Sequence, residues 1–227
     1  MPTAREALLN AGLSALRELP WSAVRMVDVA AAAGVSRQTL YNEFGSKEGL
    51  ARALLRREVD HYLRGVERRL NERADTVDRL VGIAEWTVAE ARARPLLRAL
   101  LTGCWGEWLP APGPVRINAQ PSGVPAQRRA DAGPPATGDL VALVRDRSAA
   151  ALARSRMEQS RADHTRPGAG RAELLYRCEL AVRLALAHLV APGGESVGPL
   201  VRTAVTAPLP VPPPLPLSAP SPRAGAR

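Results

Sequence analysis

Residues 29–44, VAAAAGVSRQTLYNEF, place one glycine, Gly34, between two segments that are each barely two turns of helix. Helices shorter than about 12–15 residues are marginal in water, so neither segment is stable alone. Something else in the chain must pack them. Ala30, four residues before the glycine, is small enough to sit at a steep helix crossing, and Gly34 tolerates the positive φ that a sharp reversal requires. Val29, Val35 and Leu40 are spaced to fill the narrow space between the two helices. Ser36 is placed to cap the second helix, which leaves Arg37, Gln38, Thr39, Tyr41 and Asn42 pointing largely outward. A hairpin buried in a core would not need those residues directly after so tightly specified a turn. The pattern is that of a helix-turn-helix, whose second helix enters the major groove of DNA.

Helical periodicity continues on both sides, and the expected fold class is all-α. A first helix covers 3–18, with Leu9, Leu13 and Leu16 on one face and Pro20 and Trp21 at its end. Ser46 reads as the cap of a long helix, with Glu48 in its first turn where the helix dipole favours an acid. The stripe Leu50, Leu54, Leu55, Val59, Tyr62, Leu63, Val66 and Leu70 carries that helix to about residue 70. A helix over 76–93 has one stripe at Val77, Leu80, Val81, Ala84 and Val88 and a second at Ile83 and Trp86, so it should be covered on both sides. Pro95 breaks it, and a short helix over 96–108 follows. Residues 110–138 alternate proline and glycine too densely for any helix; disorder is expected there, with a lid as the alternative. Helices resume at 139–162, 171–191 and 196–206, and a proline-rich, extended tail begins at 207.

The stretch ELAVRLALAHLV, 179–190, is apolar around nearly its whole circumference, interrupted only by Arg183 and His188. A helix of that kind is buried on all sides, and a second copy of the chain is the simplest cover. Residues 171–206 are therefore expected to form half of an intermolecular four-helix bundle, with Leu180, Leu184, Leu186, Leu189 and Val201 at the homodimer interface. His188 reads as an interface histidine.

The formal net charge of +9 suggests a polyanionic partner, but residues 1–50 are neutral: Arg5, Arg17, Arg25, Arg37 and Lys47 balance Glu6, Glu18, Asp28, Glu43 and Glu48. Total charge therefore does not pick out a DNA-binding face. Nor does the chain carry a G-x-G-x-x-G, an H-E-x-x-H or a Walker sequence, and His61, His164 and His188 are dispersed. Cys104 and Cys178 stand far apart and read as buried, reduced thiols in helices. Neither enzymatic activity, a cofactor nor a metal is expected. Residues 7–16, ALLNAGLSAL, are broken by Asn10 and Ser14 and read as helix, not as a targeting segment. No stretch approaches the 18 or so apolar residues of a membrane span. The expected compartment is the cytoplasm, with no membrane partner.

Over residues 5–63 the sequence resembles the TetR family of transcriptional regulators. The resemblance rests on VDVAAAAGVSRQTLYNEFGSKEGLARAL: the turn, TLY within the second helix, Phe44, and SKEGL opening the next helix. It implies that Arg37, Gln38 and Asn42 face the bases, where Arg suits guanine O6/N7 and Gln suits adenine N6/N7. It implies that Thr39, Tyr41 and Lys47 hold phosphates, the last beside the amides of a helix N-terminus. Glu43 departs from the family, many members having His or Tyr there. An acid at that position should repel the DNA backbone unless it turns toward Arg37 or Lys47.

The resemblance further implies an effector pocket beyond residue 75. Trp86, Trp105 and Trp108 are its candidate wall, with core packing as the rival role. Ligand binding would shift the helix 47–70 and change the separation of two recognition helices that must meet successive major grooves. The expected organisation is a DNA-binding domain at 1–46, a connecting helix at 47–70, an effector-binding and dimerisation domain at 71–206, and the tail. The expected partners are an operator duplex, a second copy and an unknown small-molecule effector. The alternative is an effector-independent DNA-binding or recruitment protein acting through its tail.

Overall fold

The computed structural model of the chain describes residues 3–111, 135–163 and 170–208. Most of the segment 110–138, nearly all of the tail, and His164 lie outside them. Among the described residues there are nine helices and no strand: α1 (Ala4–Glu18), α2 (Met26–Ala32), α3 (Arg37–Phe44), α4 (Lys47–Leu70), α5 (Thr76–Ala93), α6 (Pro95–Thr102), α7 (Thr137–Asp163), α8 (Arg171–Val190) and α9 (Val197–Thr206). None is long and apolar enough to cross a membrane.

Local chemistry accounts for the starts of these helices. Thr3 and Glu6 form a reciprocal capping box at α1, the hydroxyl of Thr3 accepting the Glu6 amide at 3.2 Å and the Glu6 carboxylate accepting the Thr3 amide at 2.9 Å. Ser46 caps α4 by accepting the Gly49 amide at 3.1 Å, and Asp75 caps α5 by accepting the Asp78 amide at 2.7 Å. Each such cap contributes about 1 kcal/mol.

Two cores share α4. Leu8 and Leu9 of α1, Val29 and Ala30 of α2, Leu40 and Phe44 of α3, and Leu50, Ala53 and Leu54 of α4 enclose the first. From Leu55 to Leu70 the same helix turns its stripe into the second, which α5 to α9 complete. Helix α5 lies at the centre, packed by α4, α6, α8 and α9, and this explains its two apolar faces. Where α3 meets α4, Gly49 lies so close to the carbonyl of Phe44 that a Cβ would overlap it. The end of α3 is thus seated directly on the first turn of the long helix.

The helix expected over 96–108 ends instead at Thr102. Gly103 adopts φ +73° and its amide donates to the Ala99 carbonyl at 2.8 Å, a left-handed cap that stops α6 six residues early. Cys104 therefore lies outside any helix and is exposed, whereas Cys178 is buried as expected.

Candidate nucleic-acid interface

The turn between α2 and α3 is built as the residue types require. Gly34 has φ +68° and the Val35 amide reaches back to the Ala30 carbonyl at 3.1 Å. Ala30, Val29 and Leu40 are buried beneath the turn and Val35 packs against them. Ser36 caps α3, its hydroxyl accepting the Thr39 amide at 3.0 Å. That hydroxyl also lies 2.8 Å from Thr39 Oγ1, which fixes the threonine on the first turn.

Arg37, Gln38 and Asn42 are exposed on one side of α3. Gln38 Nε2 donates to Asn42 Oδ1 at 2.8 Å, one turn along the helix. That bond orients the Gln38 amide while leaving its carbonyl and a second N–H for a base edge, the pair adenine needs. The Arg37 guanidinium lies 5.4 Å over the Tyr41 ring, which keeps it on the same face. Lys47, at the start of α4, donates to the Ser22 carbonyl at 3.2 Å and sits 5.1 Å over the Trp21 ring. Beside it, the Glu48 carboxyl is held below its ordinary range, first by a backbone hydrogen bond at its own position and then by the Ser46 hydroxyl.

Glu43 is exposed, and it pairs with neither Arg37 nor Lys47. Its partner is Arg5 of α1, with Nη1 to Oε2 at 3.0 Å. The two residues are 38 positions apart, and only the crossing of α1 over the end of α3 joins them. Arg25 is likewise engaged, with Asp28 at 2.8 Å.

Residues 8–54 match the family described as bacterial regulatory proteins, tetR family. Over these residues the chain is similar to TetR-family DNA-binding domains. It is 41% identical over 101 residues to the HTH-type transcriptional regulator AlkX of Mycobacterium tuberculosis. That match covers 44% of this chain and 47% of the relative, so the chain spans about half the length of the curated relative it matches. A TetR-family transcriptional regulator from Rhodococcus sp., described as putative, has a similar fold over 91% of this chain and 98% of its own, with a TM-score of 0.51 at 20% identity. The TetR family repressor AlkX from Dietzia sp. is 22% identical with a TM-score of 0.46, covering 89% of this chain and 91% of that one.

Beyond the TetR-type domain the candidate pocket residues separate. Trp86 of α5 lies against Gly65 of α4, with the guanidinium groups of Arg68 and Arg69 at 5.3 and 5.7 Å from its ring and the His61 ring at 6.0 Å. It borders an open cleft of about 490 Å³ shared with Arg69, Glu72, Asp78, Glu85 and Arg202. Trp105 and Trp108 do not line that cleft. Trp105 packs on the second core, and Trp108, 54% exposed, accepts the Trp21 amide at 2.9 Å through its carbonyl. Because α6 stops at Thr102, Trp105 and Trp108 lie outside any helix and do not join Trp86 along that cleft.

The dimer candidates divide as well. Leu180, Leu184 and Leu186 are half-buried on α8, whereas Leu189 and Val201 are buried inside the subunit's own core. Helices α5, α7 and α9 cover much of the apolar circumference of α8 within the subunit itself. Tyr176 and Val190 of α8 and Leu200 of α9 are exposed. His188 is buried and lies 3.2 Å from Arg92, an intramolecular contact between α5 and α8.

One polar group at the α4–α5 junction escaped the sequence reading. Glu58, only 2% exposed, accepts Arg94 Nη1 at 2.9 and 3.1 Å. Arg94 Nε also donates to Glu90 at 3.1 Å, and Glu90 lies 2.8 Å from His61 Nε2. The signal was present: Glu58 falls among Leu55, Val59 and Tyr62 on the buried stripe of α4.

Proposed function

We propose that this chain is a TetR-family transcriptional regulator, acting as a homodimer that represses by binding an operator through α3 and lets go when a small molecule binds the second core. The observation that carries the reading is the face of α3, where a Gly34 turn and a Ser36 cap hold Arg37, Gln38 and Asn42 exposed over a buried Leu40. In this reading Arg37, Gln38 and Asn42 read bases, and Thr39, Tyr41 and Lys47 grip phosphates. Ligand response is supported by the way α4 is joined at both ends. Trp86 and the Glu58–Arg94 pair tie it to the second core, and Gly49 ties it to α3, so a displaced α4 carries the recognition helix with it. Such a protein works in the cytoplasm, where its operator is.

Selection of bound duplexes from a random pool tests the reading. The expected result is an inverted repeat whose half-sites lie about one helical turn, 34–36 Å, apart. Recovery of no preferred sequence at moderate salt would overturn it.

A further inference from the structure

We propose that Arg5 is a positioning residue for DNA binding: it neutralises Glu43 and holds it aside, so that the recognition helix can approach a phosphate backbone. The inference rests on the proposed operator binding through α3. Three contacts converge on the Arg5 guanidinium. Its Nη1 pairs with Glu43 Oε2 at 3.0 Å and donates to the Glu43 backbone carbonyl at 3.3 Å, and its Cζ lies 4.8 Å from the centre of the Phe44 ring. Helix α3 has no basic residue in its last turn, so the Glu43 carboxylate adds to the negative end of the helix dipole. Left unpaired, that charge would stand on the helix meant to enter the groove. Arg5 compensates both the carboxylate and a terminal carbonyl from outside the helix. Its planar fork suits two acceptors and an aromatic face at once, which a lysine ammonium does not.

The experiment measures binding of the full chain to its selected duplex and to a scrambled duplex, each across a salt series. The variants are Arg5→Gln, Glu43→Gln and the two combined. Glutamine at position 5 removes the charge and keeps a polar amide. Arg5→Gln is expected to weaken binding about tenfold on both duplexes, because the repulsion it exposes is indifferent to sequence. Glu43→Gln is expected to bind at least as tightly as the wild type. The double variant is expected to recover to within about threefold of wild type, since with no carboxylate there is nothing to neutralise. A double variant as weak as Arg5→Gln overturns the proposal, because Arg5 would then act on DNA directly or on the fold. Wild-type binding by Arg5→Gln overturns it as well. If Arg5→Gln melts, Glu43→Gln decides alone: weaker binding than wild type overturns the proposal, and equal or tighter binding supports it. A wild-type chain that binds no duplex overturns the operator reading together with this one, whereas firm wild-type binding with an unrescued double variant overturns this one only.

Discussion

Trp86 of α5 lies across Gly65 of α4 so closely that a Cβ at position 65 would overlap the indole. The helix that carries the DNA-binding unit is therefore notched to receive a side chain of the second core. Gly65→Ala gains helix propensity but forces the ring out, and overpacking of this kind costs about 1–3 kcal/mol. The expected result is a lower Tm with a shift in tryptophan emission. A Tm at or above wild type would show that the ring relaxes freely.

Glu58 and Arg94 should behave as a unit. Removing the guanidinium strands a carboxylate that is 2% exposed, and breaking such a pair costs about 3–5 kcal/mol when both partners are buried. Arg94 is 35% exposed on its side chain, so the low end, about 3 kcal/mol, is expected for Arg94→Ala. Adding Glu58→Gln should restore part of the loss. Urea denaturation of the two variants checks this, and equal midpoints would argue against coupling.

Burial should make the fold sensitive to alkali. It pushes the Tyr62 hydroxyl up from 10.0 to about 12, against a smaller opposing effect of its hydrogen bond to Thr87, and the Cys178 thiol up from 9.0 to about 12. The folded chain thus keeps protons that the unfolded chain releases. The stability these groups contribute is complete below their unfolded values and is lost as pH rises through the window from 9.0 to about 12. Tm should fall across that window, and fall less steeply in Tyr62→Phe with Cys178→Ala. Equal slopes would assign the effect to other groups.

Gly34 separates backbone strain from crowding. Nothing lies within 4 Å of a Cβ built there, yet φ is +68°. Gly34→Ala should lose about 1 kcal/mol through conformation alone, and Gly34→Asn less, because asparagine visits the left-handed region more readily. Chemical denaturation ranks the three, and an asparagine variant weaker than the alanine one would point to a contact instead.

The proposed dimer makes a prediction at residues the subunit leaves open. Tyr176 and Val190 are exposed, 47% and 64%, so charging them does not disturb the subunit's core. Tyr176→Asp with Val190→Asp should convert a species of twice the 24.2 kDa chain mass to monomer in sedimentation, with far-UV dichroism unchanged. A dimer that persists would place the interface elsewhere.

Much of this protein is legible along the chain because its signals are local. A cap such as Ser36 and a turn such as Gly34 act within four residues, and the buried stripe of α4 repeats every three or four, so spacing alone reveals them. The early stop of α6 was local as well, written in Gly103, but the apolar spacing continued through Trp105 and Trp108 and masked it. The tertiary structure decided which polar groups meet. Arg5 finds Glu43 across 38 positions, Arg94 finds Glu58 across 36, and Arg92 finds His188 across 96. It also decided which apolar faces the chain covers itself, burying Leu189 and Val201 while leaving Val190 open. Sequence by itself determined the helices, the turn and the face of α3; the pairing of polar groups and the covering of faces depend on helix crossings, whose angles come from packing the whole core and not from any stretch of residues.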